Sequence, residues 1–138
     1  MRSPQKKREQ KIRKNADYSE RMIIFASKTL LYPMNITFEN TALAELYHNG
    51  TTQERRYKRL TQDIIKRYIK VVNFLRAARR LEDLFLIKSL HYEKKEGDLK
   101  GVDVVWINNQ YRLFFYSSPD ESGIVVNALL FEISKHYE

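Results

Sequence analysis

Residues 102–116 read Val-Asp-Val-Val-Trp-Ile-Asn-Asn-Gln-Tyr-Arg-Leu-Phe-Phe-Tyr. Two runs rich in β-branched and aromatic side chains, Val102–Ile107 and Tyr111–Tyr116, flank Asn108-Asn109. Such side chains suit a pleated, half-buried surface, and asparagine tolerates the positive φ of a tight reversal, so the stretch predicts a β-hairpin. Downstream, Ser117–Gly123 breaks the pattern. Ile124–Ile133 is then a nearly continuous apolar run, which predicts a strand buried on both faces.

Upstream of the hairpin the period changes. Tyr57, Leu60, Ile64, Tyr68, Val71, Leu75 and Ala78 recur at steps of three or four and form one stripe of a long helix. Thr51 with Glu54 three residues on has capping-box spacing, which predicts that this helix starts at Thr51. Before it, Leu43, Leu46 and Tyr47 share a face of a shorter helix, capped by Asn40 or Thr41 and stopped by Asn49-Gly50. A connection as short as Asn49-Gly50-Thr51 makes the two helices an antiparallel hairpin. Leu81–Leu86 adds a short helical piece, and Asn35-Ile36-Thr37-Phe38 alternates as a half-buried first strand does. Strand, helix, helix, then strands to the end is the order of an α+β fold, an antiparallel β-sheet with an N-terminal helical hairpin packed on one face.

The 138 residues suffice for one domain with a true core, and 43% hydrophobic with 30% charged residues is a globular composition. The absence of cysteine excludes disulfides and thiolate chemistry. With three histidines in the chain, neither a metal nor a cofactor is expected. The apolar stretch Met22–Leu31 is interrupted by Ser27, Lys28 and Thr29 and falls short of the ~20 residues of a membrane span. Without a small-residue cleavage site, the expectation is a cytoplasmic protein with no membrane partner. The formal charge of +8 is uneven, with nine Lys or Arg against three acids in residues 1–33 and sixteen against fourteen in the rest. Residues 1–33 therefore read as a basic extension, either a flexible arm or sequence upstream of a true start at Met34, and residues 34–138 as the folded domain. The arm's cations are either simply solvated or contact RNA. Arg55, Arg56, Arg59, Lys66, Arg67 and Lys70 lie largely off the helical stripe, as a solvated face or a phosphate-facing one.

Three pieces of the chain resemble the HigB-like toxins of the RelE/ParE superfamily. These are Asn35–Gly50, then Leu90–Gly101 with Trp106–Phe115, and finally Glu132–Tyr137. The similarity covers roughly residues 34–138 and leaves the basic extension outside. It implies a RelE-like fold and a type II toxin that cuts messenger RNA in the ribosomal A site without metal. The partners it implies are the ribosome and a HigA-like helix-turn-helix antitoxin, through which alone operator DNA is reached. Residue by residue, Arg112 matches the arginine of the central hairpin, His91 the histidine before the Gly-Asp loop, and His136 the C-terminal histidine. These three are the implied catalytic set. Lys94, Lys95, Lys135 and Tyr137 are candidates for binding RNA or phosphate. Two departures stand out. Glu96 occupies the position before Gly97-Asp98 where related toxins carry lysine, and Ser134 and Lys135 stand where an acid and a tyrosine can precede the last histidine.

Those residue types suit metal-free RNA cleavage, in which the 2′-hydroxyl attacks the adjacent phosphate and leaves a 2′,3′-cyclic phosphate and a 5′-hydroxyl. A planar guanidinium binds two phosphate oxygens at once and keeps its charge. A histidine near its usual pKa of ~6.5 exchanges protons at neutral pH. On this reading Arg112→Ala leaves folding intact and abolishes toxicity. Competing readings are a gyrase-binding toxin of the ParE branch and an inactive homologue that acts only with its antitoxin in repression, the latter favoured by Glu96. An RNA-cutting toxin needs Arg112, Lys135 and His136 on one face; the others do not.

Overall fold

A computed structural model of the chain describes Ile23–Ile24, Leu30–Leu31, residues 34–119, residue 121 and residues 126–136. It divides into two units, Met1–Pro33 and Met34–Glu138. In the first, strand β1 (Ile23–Ile24) pairs antiparallel with β2 (Leu30–Leu31). The cation clusters at Lys6–Arg8 and Lys11–Lys14, expected to form an arm, lie outside the described residues.

The second unit begins with β3 (Asn35–Phe38) and helix α1 (Thr41–Asn49). Asn40 caps α1, its Oδ1 accepting the Leu43 N–H at 2.9 Å. Gly50, at φ 77°, ends the helix by donating its N–H to the Leu46 carbonyl. The longer helix α2 (Gln62–Ala77) does not start at Thr51. Thr52 Oγ1 instead donates to Glu45 Oε1 at 2.6 Å and accepts the Glu54 N–H, so no capping box forms there. A single 3₁₀ turn, Arg55–Tyr57, carries Tyr57 into the core, and Thr61 supplies the cap by accepting the Ile64 N–H. The helices are thus joined by residues 50–61 rather than by a tight turn.

Five strands form one sheet in the order β3-β7-β6-β5-β4, with β4 at Glu93–Lys94, β5 at Val102–Trp106, β6 at Tyr111–Pro119 and β7 at Val126–Lys135. The α+β architecture follows the sequence reading, with one correction to the sheet. β3 lies parallel to β7, while the other three pairs are antiparallel. β3 pairs across most of the chain, so its direction is set by a long return rather than by a local turn.

One sheet face packs on the helices. Val105, Leu113, Phe115, Ala128 and Leu130 are fully buried there against Leu43, Leu46, Val72 and Leu75. Tyr68 ties the helices together by donating its hydroxyl to the Leu43 carbonyl at 2.8 Å, and burial pushes that hydroxyl's pKa far above the phenol range. β7 is not buried on both faces. Ala128, Leu130 and Ile133 are buried, whereas Leu129, Phe131 and Glu132 are only partly so. A bulge explains the broken alternation: Phe114 faces Glu132 and Phe115 faces Leu130, leaving Phe131 as the extra residue. No helix among the described residues is long and apolar enough to cross a membrane.

Candidate functional site

Because successive side chains in a strand point to opposite faces, the pairing registers decide which candidates can meet. Val105, Leu113 and Ile133 occupy the helix face, so their neighbours Trp106, Arg112 and Ser134 occupy the other. Trp106 pairs with Arg112 and Arg112 with Ser134, which makes a continuous row across three strands. Extending the β4–β5 register by two residues puts His91 at the near end of this row. At its far end the β6–β7 ladder continues past the strand, with the His136 N–H donated to the Gln110 carbonyl at 2.6 Å. His136 therefore shares the face of Arg112, two residues and roughly 7 Å further along, and it is exposed.

The centre of the row is a stack. The Arg112 Cζ sits 4.0 Å from the centre of the Trp106 ring. His91, two residues before β4, stacks on the same indole with centroids 3.7 Å apart and 23° between planes. Arg112 is only 7% exposed, and its Nη1 donates to the carbonyls of Asn108 at 2.9 Å and Tyr111 at 3.3 Å. The guanidinium is thereby fixed in position and orientation by the turn of its own hairpin. His91 is held too. It ends the 3₁₀ turn Lys88–Leu90 at φ 45°, the only non-glycine residue at positive φ among those described. For an L-residue that conformation costs about 1–2 kcal/mol, a strain the stack on Trp106 helps to offset.

The turn itself differs from expectation. Asn108 and Asn109 are not at positive φ. Asn108 works through its side chain, Oδ1 accepting the N–H groups of Gln110 at 2.8 Å and Tyr111 at 2.7 Å. The loop then spans residues 108–110, and this one-residue difference is what sets Trp106, rather than Val105, opposite Arg112.

The lysines are not gathered at this row. Lys94 pairs across the sheet with Asp103 on the helix face, and its Nζ lies 3.8 Å from that buried carboxylate. Asp103, only 2% exposed, also accepts the Ser117 hydroxyl, so Lys94 and Ser117 together compensate a buried charge. Lys95 shares the face of Arg112 but lies four residues along the strand from His91, with its Nζ 3.5 Å from Glu93. Lys135 pairs with Tyr111 and lines a cleft with Arg56, Arg59 and Glu132 near the C-terminal end of β7. Arg112, Lys135 and His136 thus do not share one face as the RNA-cutting reading required; Lys135 alternates away from the other two. Tyr137 lies outside the described residues. No cluster of His, Asp or Glu suited to a metal ion occurs among the described residues.

Trp106 is the residue that sequence reasoning missed. Its role is a property of register, legible only once the loop length is known. A second omission is a cleft of about 240 Å³ between α2 and the β5–β6 turn, lined by Arg67, Lys70, His91, Trp106, Asn108 and Asn109 among others.

No protein-family profile matches the chain, and no characterised protein matches it by sequence. Among solved structures it is similar to a YoeB/ParE toxin from Agrobacterium tumefaciens, at 10% identity over 75% of this chain and 100% of that one, with a TM-score of 0.48. It is also similar to a YoeB-YefM complex from Staphylococcus aureus, at 17% identity over 75% and 98% of the two chains, TM-score 0.44. The YoeB dimer from Staphylococcus aureus aligns at 18% identity over 76% and 97%, TM-score 0.37.

Proposed function

We propose that residues 34–138 are a HigB-like toxin of a type II toxin–antitoxin pair, a metal-independent endoribonuclease that cuts messenger RNA in the ribosomal A site. A HigA-like helix-turn-helix antitoxin restrains it and alone connects it to operator DNA. The observation that carries this reading is the shared sheet face of Arg112 and His136, with His91 in the Arg112 row. Sequence resemblance nominates those three residues from separate segments, and the registers around Arg112 support reading them together.

The chemistry follows from the geometry. RNA carries its own nucleophile, so the protein has to hold the linkage in line and stabilise the charge that develops on the phosphate. Arg112, oriented by two carbonyls and an indole, is a preorganised cation for that charge. His136, exposed beside it, takes the proton of the 2′-hydroxyl, and His91 returns one to the 5′-oxygen that leaves. The Trp106 ring holds the Arg112 guanidinium and the His91 imidazole against one indole.

A second reading, a toxin homologue that binds without cutting, is favoured by the 7% exposure of Arg112, by the placing of Lys135 on the opposite face from Arg112 and His136, and by Glu96 in the position related toxins give to lysine. Primer extension on messenger RNA after brief induction separates the two. The cutting reading expects 5′ ends at ribosomal A sites within minutes; growth arrest with intact transcripts selects the binder.

A further inference from the structure

The cleft between α2 and the β5–β6 turn shares His91 and Trp106 with the proposed site, but Arg67, Lys70, Asn108 and Asn109 in its lining have no part in the proposed chemistry. Arg67 and Lys70 rise from one side of α2, exposed and one turn apart. Opposite them stand the amides of Asn108 and Asn109, and the floor on that side is His91 stacked on Trp106. No carboxylate is among the lining residues. Two cations in such a lining suit a phosphate, and the Asn109 amide suits the donor and acceptor edge of a base, whereas the Asn108 Oδ1 is already taken by the N–H groups of Gln110 and Tyr111. The aromatic element is equally specific. Arg112 and His91 both pack on the Trp106 ring, and His91 is exposed and lines the cleft, which suits stacking by a further flat ring. At about 240 Å³ the cleft sits below the ~300–1,000 Å³ of pockets for drug-sized ligands, a size for one nucleotide unit rather than a duplex.

We infer that this cleft is a nucleotide subsite, which takes one splayed residue of single-stranded RNA with its base on His91 and its phosphate between Arg67 and Lys70. It lies at the His91 end of the Arg112 row, and it converts part of the helix's basic surface from a solvated face into a binding one. The inference rests on the RNA reading for the identity of the polymer, but its test needs neither ribosomes nor cleavage.

Trp106 is the chain's only tryptophan and lines the cleft, so its emission reports occupancy directly. The experiment titrates the full chain with a 2′-O-methyl hexaribonucleotide, which cannot be cut by in-line attack, at several salt concentrations. Wild type is expected to show a saturable emission change. The double variant Arg67→Ala, Lys70→Ala is expected to bind at least tenfold more weakly, and its salt slope in log–log form to be shallower by about 0.7, for the one phosphate of a single strand that is no longer neutralised. Lys66→Ala removes the same type of charge from α2 outside the lining and is expected to match wild type. Circular dichroism confirms that all variants are folded. A flat titration for wild type, or equal affinity and slope for the double variant, overturns the subsite. Tight RNA binding through the cleft with no A-site cutting would instead leave the subsite standing and remove the nuclease.

Discussion

Arg112→Ala is the perturbation with the most to say about how the site is built. The wild-type guanidinium is 7% exposed, donates to the carbonyls of Asn108 and Tyr111, and lies 4.0 Å from the Trp106 ring centre. A hydrogen bond from a charged donor contributes ~1.5–3 kcal/mol, and a partly desolvated cation–π contact ~0.5–2 kcal/mol. Both carbonyl bonds leave the same Nη1 and one is long, so they count as little more than one. The expected loss is therefore about 2–5 kcal/mol. With a urea m-value of ~2 kcal/mol/M, the unfolding midpoint falls by roughly 1–2.5 M. Urea unfolding followed by Trp106 emission measures both quantities, since the folded baseline shifts when the cation leaves the indole. Arg112→Lys keeps the charge but loses the planar fork and is expected between the two. The sequence expectation that Arg112→Ala leaves folding intact does not survive this burial, and loss of toxicity in that variant would mix two causes. An unchanged midpoint with unchanged Trp106 emission would refute the reasoning.

Two further outcomes follow from local geometry. Because His91 sits at φ 45°, glycine relieves strain there that alanine keeps, so His91→Gly is expected to be about 0.5–1 kcal/mol more stable than His91→Ala in the same urea assay; the reverse order would show that the strain is not borne in solution. Burial pushes the Asp83 carboxyl upward, but the N–H groups of Arg79 and Arg80 and the Arg80 guanidinium outweigh it and leave the pKa below the ordinary value. A lowered folded value means the stabilisation is present above the unfolded pKa of ~3.9 and is lost as pH falls through the folded one. The Tm advantage of wild type over Asp83→Asn is thus expected at pH 7 and absent in strong acid, and an advantage that persists there would contradict the assignment.

The central hairpin was legible because residues 102–116 are written in side chains that have few other uses, and the two helices because their apolar stripes and the Asn40 and Gly50 caps are local signals. What stayed hidden was set at a distance or by a single residue of register. The parallel pairing of β3 with β7 depends on a return from the far end of the chain. Thr51 with Glu54 has the spacing of a cap, yet Glu45 captures the neighbouring hydroxyl of Thr52 and the start moves to Thr61. Resemblance could nominate Arg112, His91 and His136, but not that Trp106 binds the first two together, because a loop of three residues rather than two decides what lies opposite Arg112. The same parity sends Lys94 and Lys135 to the opposite face from Lys95. Nothing in a run of lysines announces that one of them is committed to a buried Asp103.

His136 offers the cleanest test of the account, since it is exposed and its replacement is expected to change stability by less than ~0.5 kcal/mol. The measurement is the cleavage rate of messenger RNA on programmed ribosomes by purified wild type and His136→Gln. Wild type is expected to release fragments ending in 2′,3′-cyclic phosphate, and the variant to do so ~10²–10⁴-fold more slowly, the usual contribution of a proton-transferring side chain. Equal rates for the two proteins would contradict the claim that the face shared by Arg112 and His136 performs the reaction.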